Sequence, residues 1–172
     1  MAVREILIVP DPVLREVSNP IDGVDGDVRT LMDDMLETMY DAKGIGLAAI
    51  QIGVPKRVIV MDLAGEDEEP QPKFFVNPVL SDFSEEKGVY QEGCLSIPGH
   101  YDDVERPVSC TVDYLDYEGN EVQESAEGLF ATCIQHELDH LNGVIFLDHL
   151  SRLKRDRILK KLKKEQRMAT AS

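Results

Sequence analysis

Residues 125–143 read SAEGLFATCIQHELDHLNG. Ser125 is a candidate N-cap, and Asn142-Gly143 supply a helix stop. Between them Leu129, Phe130, Cys133, Ile134, Leu138 and Leu141 point in nearly every direction around a helix. A helix that is apolar all round is buried. The stretch therefore predicts a central helix near 126–141 with strands packed about it.

That helix also carries His136, Glu137 and His140. Residues four apart share one face, with Cβ atoms about 5–6 Å apart, so two imidazoles can reach one ion. Glu137, one position after the first histidine, points about a quarter turn away. It can reach water on a metal without ligating the metal, which is the physical content of H-E-x-x-H. Surface histidines on a charged helix would be the plain alternative. Three ionisable groups inside an apolar helix are costly to bury unless paired or metal-bound, so the metal reading prevails.

A catalytic site of this kind takes three protein ligands and leaves a position for water. One protease class continues H-E-x-x-H-x-x-G-x-x-H; Gly143 fits that pattern but the last position is Phe146. Glu165, the one glutamate after His140, sits in a basic run, and Asp148 and His149 lie too close to the helix end to fold back. Upstream, QEGCLSIPG (91–99) offers Cys94 in a Gly/Pro-bearing loop. A thiolate with two imidazoles is a competent tripod for Zn²⁺ or a similar divalent ion. Cys94 is the third ligand in this reading. Cys110 and Cys133, in apolar surroundings, read as small core residues, and three unpaired cysteines argue against a disulfide framework.

Elsewhere, DVRTLMDDMLETMYDAKG (27–44) sets Leu31, Met32, Met35, Leu36 and Met39 at helical spacing, with Asp27 as N-cap and Gly44 as the left-handed residue past its end. The segments 57–63, 74–80 and 108–117 are rich in β-branched and aromatic residues and read as strands, with a hairpin turn in DYEGNEV (116–122). The acidic stretch 64–73 reads as an exposed loop. Strands and helices do not alternate in βαβ order. The expected class is α+β: antiparallel strands around a central buried helix, plus an N-terminal and a C-terminal helix.

A length of 172 residues suits a single catalytic domain, placed at 1–150, followed by a basic helix or tail at 151–172. The tail holds 9 Lys/Arg against 2 acids, while the net charge of the chain is -15. An acidic body with a basic tail often marks an interaction segment. Ile158, Leu159 and Leu162 fall on one face of that tail, which suits a helix docked on its own domain. No run approaches the ~20 apolar residues of a membrane span, and Pro10 and Pro12 break the short apolar start. The expectation is a cytoplasmic protein without a signal peptide.

Three motifs, GIGLAAIQ (44–51), EGCLS (92–96) and QHELDH (135–140), together resemble the peptide deformylases. The likeness runs from VPDPVLR (9–15) to HLNGVIFLDHLS (140–151). It implies removal of the formyl group from N-formylmethionine on nascent chains, with release of formate. It implies Fe²⁺ on Cys94, His136 and His140, a donor set that also accepts Zn²⁺, Ni²⁺ or Co²⁺. Glu137 would be the general base and acid, with the Gln51 amide and the Leu95 N–H stabilising the formyl oxygen. Gly46 and Gly93 match positions that pair with the substrate backbone, and Ile45, Leu129 and Cys133 match the methionine pocket. Thr132 replaces a commonly apolar neighbour, and Tyr101 stands where an arginine is often found. Glu92 is a candidate partner of Arg106, either bracing the cysteine loop or forming a plain surface pair. C-terminal helices of similar enzymes are thought to touch ribosomal RNA. Two other readings are a metalloendopeptidase ligated by Glu165 and a non-enzymatic zinc module; the second needs a fourth ligand that the sequence does not offer.

Overall fold

The β-branched runs become neighbouring strands in the computed structural model, which describes residues 2–171; Met1 and Ser172, at the ends of the two expected spans, lie outside the described residues. In chain order the elements are α1 (Gly26–Asp41), β1 (Gly46–Ala48), β2 (Val58–Asp62), β3 (Pro72–Ser81), β4 (Lys87–Cys94), β5 (Ile97–Pro107), β6 (Ser109–Leu115), β7 (Glu121–Glu127), α2 (Gly128–Leu141) and α3 (Arg152–Ala171). One antiparallel sheet has the order β1-β2-β3-β6-β7, and β4 and β5 form a separate antiparallel pair. The α+β class expected from sequence is the class observed.

The period of two along β2 organises the core. Ile59 and Met61 join Phe75 and Val112 against Ala131, Ile134 and Leu141 of α2. Val58 and Val60 face the other way, onto Met32, Met35 and Met39 of α1. Both faces of β2 are covered, which is why VIVM (58–61) is a continuous apolar run rather than an alternating one. A third cluster joins Ile97 and Val104 of β5 to Ile158 and Leu162 of α3 and to Val9, Leu14 and Phe146. The apolar stripe of the basic tail is thus docked on its own chain.

Several element ends differ from the sequence reading, each for a local reason. The N-cap of α1 is Asp25, whose carboxylate accepts the Val28 N–H at 2.9 Å. Asp27 sits inside the first turn, where a negative charge meets the helix dipole. Past the end of α1 it is Lys43, not Gly44, that has a positive φ of 58°. Lys43 N–H donates to Tyr40 C=O and Gly44 N–H to Met39 C=O, a Schellman closure with Gly44 one place beyond the left-handed residue. Gly44 is needed for a different reason: a Cβ there would lie 2.6 Å from the Leu95 side chain. Ser125 does not cap α2. It pairs with Thr111 in β7, so the helix begins at Gly128 after Glu127. Asn142 and Gly143, with φ 76°, end α2 as expected. Pro72 and Lys73, expected in the acidic loop, already belong to β3. The cysteine loop is a hairpin, β4 turning through Leu95-Ser96 into β5.

Candidate metal centre

His136 and His140 project from α2 toward the end of β4, where Cys94 stands at a register shift of the hairpin. Their ligand atoms, with Cys94 Sγ, all lie within 4.8 Å of one another. Cys94 Sγ is 3.2 Å from His140 Nε2. Glu137 Oε1 is 4.0 Å from Nε2 of both histidines. His140 is fully buried, and Glu137 is 2% exposed. The buried α2 face therefore presents two ring nitrogens, and the hairpin presents one sulfur, to a common point. Glu165 is not part of that group and pairs with His100 at 3.2 Å. His149 instead meets Asp139 at 2.8 Å.

Behind the histidines runs a chain of ion pairs. Arg106 Nε and Nη2 donate to the two oxygens of Glu92 at 2.6 and 2.9 Å, and Glu92 Oε1 lies 2.9 Å from His136 Nδ1. Arg106 Nη1 reaches Asp139 at 2.9 Å. Glu92 and Arg106 are each 5% exposed, so the pair considered from sequence is a buried one. Its link to His136 and Asp139 was not legible, because partners 33 and 44 positions apart share no sequence pattern.

The fields in the site differ from group to group. Burial raises Glu92, but the hydrogen bonds of His136 and Arg106 reverse this and bring it down to about 2. Glu137 lacks such donors, and burial pushes it up to about 7. Burial would depress His136, yet the sulfur of Cys94 and the carboxylate of Glu92 hold it well above its ordinary value. His140 is driven well below its ordinary value by burial and by His136 and Arg106. Cys94, Glu92 and Glu137 thus favour positive charge at the point where the three donors converge. A thiolate, two imidazoles and that field fit a divalent cation.

A cavity of about 590 Å³ opens over this point. β1 ends the large sheet and β4 pairs with β5 alone, so the cavity runs between two free strand edges. Gly46 is on the first edge and Gly93 on the second, and both line it. Gln51 is 1% exposed and is fixed at both ends of its amide. Its oxygen accepts the Ala48 N–H at 3.0 Å, which leaves Nε2 donating to Ser96 Oγ at 3.0 Å and facing Cys94 Sγ at 3.4 Å. Leu95 follows Cys94 at the hairpin turn and also lines the cavity. At the mouth stand Ile45 and Leu129, about half exposed, with Cys133 deeper on α2. All the expected site residues are brought to this one place, and His140 lies beneath it as the buried ligand. Tyr101 stands at the rim, 62% exposed. The sequence carried no sign of the N-terminal strap, in which Leu7 N–H donates to Gln51 C=O at 2.7 Å and Val9 N–H to Ser96 C=O at 2.9 Å.

A family model described as polypeptide deformylase matches residues 3–156. The peptide deformylase of Maricaulis maris is 66% identical over 167 residues, covering 97% of this chain and 96% of its own. That of Phenylobacterium zucineum is 63% identical, covering 98% and 100%. Among solved structures, the peptide deformylase of Ehrlichia chaffeensis superposes with a TM-score of 0.94 at 44% identity, covering 98% of this chain and 99% of that one. A second structure from that organism, in complex with actinonin, gives 0.92 at 47%, covering 97% and 99%.

Proposed function

The chain belongs to the polypeptide deformylase family, and from that premise we propose the part each side chain of the cleft plays in removing the N-formyl group from newly made polypeptides. The observation that carries the reading is the convergence of Cys94, His136 and His140 within 4.8 Å, with Glu137 beside both histidines. Those three residues hold Fe²⁺ as the native metal; Zn²⁺, Ni²⁺ or Co²⁺ can take its place, since a thiolate with two imidazoles suits each of them. When bound, such an ion would supply Lewis acidity, lowering the pKa of water toward neutrality.

The peptide lies extended between the edges of β1 and β4, pairing with the backbone at Gly46 and Gly93. Its methionine side chain enters between Ile45, Leu129 and Cys133. Glu137 accepts the proton of the attacking water at its carboxylate and delivers it to the departing amine. A buried carboxyl near neutrality suits both halves of that transfer. The Gln51 Nε2–H and the Leu95 N–H donate to the oxygen of the formyl group as charge grows there. The Gln51 amide is oriented by Ala48 before any substrate arrives, and such a preset donor is worth about 3–4 kcal/mol. Formate and a free amino terminus leave.

Two further assignments follow from the surface. The exposed basic face of α3, with Lys160, Lys161, Lys163 and Lys164 turned to solvent, contacts ribosomal RNA near the nascent chain. Docking by Ile158 and Leu162 leaves that face available. The enzyme works in the cytoplasm, where such chains emerge; among the described residues no helix is long and apolar enough to cross a membrane.

The test of the central reading is anaerobic turnover of formyl-Met-Ala with metal analysis on the same sample. One divalent ion per chain and stoichiometric formate are expected. Cleavage of casein without formate release would overturn the reading in favour of an endopeptidase.

A further inference from the structure

A hydroxyl stands on the wall of the cleft, and no step above uses it. Thr132 lies one helical turn before His136 on α2 and lines the same cavity as Leu129 and Cys133. It is 6% exposed, so more than nine-tenths of it is buried. Among the described residues, the threonines of helix α1 satisfy themselves locally. Thr30 and Thr38 donate to the carbonyl four residues earlier, at 3.0 and 2.7 Å. Thr132 makes no such bond, and among the described residues its hydroxyl has no protein partner. Nor is its oxygen sealed in the core with the unpartnered Ser18 Oγ and His140 Nδ1. Its outlook is the cavity.

A buried hydroxyl left unpaired is costly, so a ligand that gives it an acceptor is favoured over one that does not. The side chain placed in this pocket carries one heteroatom, a thioether sulfur, which is a weak and polarizable acceptor. We propose that Thr132 Oγ1 donates a hydrogen bond to the sulfur of the substrate's first residue, making the pocket select methionine over its all-carbon isostere norleucine. The assignment rests on the deformylase reading of the cleft. An all-apolar wall would bind the two side chains about equally or favour norleucine, the more apolar of the pair. A wall with a hydroxyl penalises norleucine, because the hydroxyl then stays dry and unpaired.

The experiment compares kcat/KM for formyl-Met-Ala and formyl-norleucyl-Ala on the metal-loaded wild type, Thr132→Val and Thr132→Ser. Wild type should favour methionine by about 2- to 10-fold, the range of one neutral hydrogen bond. Thr132→Val keeps the shape and removes the donor, so the ratio should fall to about one or below. Thr132→Ser should keep the preference, which a purely structural role would not require. Turnover with the same ratio in wild type and Thr132→Val overturns the assignment alone. Failure of wild type to turn over either substrate overturns the deformylase reading and this assignment with it. Should Thr132→Val not fold, a crystal structure of the wild type with Met-Ala bound decides. Oγ1 within hydrogen-bonding reach of the sulfur supports the proposal, and Oγ1 turned away overturns it.

Discussion

His136 Nδ1 stands 2.9 Å from Glu92 Oε1, and this contact ties the helix that carries two of the proposed ligands to the hairpin that carries the third. Glu92 is held in turn by two hydrogen bonds from Arg106. A carboxylate on the far nitrogen of a ligating imidazole fixes the ring and its tautomer and raises its basicity.

Glu92→Gln should therefore weaken metal binding by about 10- to 100-fold, as other outer partners of metal-bound histidines do. Arg106 keeps Asp139 as a counter-charge, so the protein should still fold, at a lower Tm. Chelator competition on the two proteins measures the effect. Equal affinities would mean that Glu92 braces the hairpin without tuning His136.

The roles proposed for Cys94 and Glu137 separate under mutation. Glu137→Gln retains size and hydrogen bonding but removes the base. It should keep near-stoichiometric metal while kcat falls by ~10²–10⁴-fold. Cys94→Ala removes one of three ligands and should lose metal and activity together. Metal content and turnover measured on both variants decide this; a metal-free Glu137→Gln or a fully active Cys94→Ala would reverse the assignment.

The helix bearing the histidines was legible because its apolar girth and its H-E-x-x-H spacing are both local patterns. The third ligand emerged by elimination along the chain. What stayed hidden is what requires three dimensions. KGVYQEGC has neither alternation nor a run of β-branched residues, so β4 is a strand only because β5 pairs with it. Ser125 has the chemistry of a cap, but β6 claims its backbone first. The contacts of Leu7 and Val9 with Gln51 and Ser96 are backbone bonds, indifferent to side-chain type.

Gly46 carries a constraint beyond backbone pairing. A Cβ built there would lie 2.9 Å from both Cys133 Sγ and Glu137 Oε2. Both atoms belong to the packed helix α2, so the Glu137 carboxylate would have to shift. Gly46→Ala should lower kcat by up to about 10²-fold, the penalty for displacing a reacting group by roughly 1 Å. Metal content should be unchanged. A variant with wild-type kcat would show that the carboxylate has room to move.

Away from the cleft, Arg15 binds Asp148 at 2.5 and 3.1 Å, and Asp148 also accepts the Ile145 N–H at 3.0 Å. Burial raises Asp148, but Arg15 and the Ile145 N–H more than reverse this and hold its pKa below the usual value. A depressed carboxylate stabilises the fold above its unfolded pKa of about 3.9 and loses that contribution as the pH falls through its lower folded value. Arg15 is half exposed, so solvent screening limits the effect to about 1 kcal/mol or less. Asp148→Asn should lower Tm at pH 7, and its gap from wild type should shrink below pH ~4. A gap that is constant between pH 3 and 7 would show that the charge of Asp148 contributes nothing.

Helix α3 has two faces, and they can be tested apart. Leu162 is 2% exposed and packs in the cluster that holds Ile97 and Val104 of the hairpin strand β5, with Cys94 at its margin. Leu162→Ala should cost about 2–5 kcal/mol of stability through the cavity it leaves. It should also loosen metal retention, because the cluster backs the hairpin that supplies Cys94. On the outer face, Lys160, Lys161, Lys163 and Lys164 are exposed, so changing any one to glutamate should alter stability by no more than about 0.5 kcal/mol. All four together should abolish co-sedimentation with ribosomes while formyl-Met-Ala turnover persists. Wild-type co-sedimentation should itself fall steeply with salt, as phosphate contacts release counterions. If the fourfold lysine variant pelleted with ribosomes as wild type does, α3 would serve only to brace the hairpin.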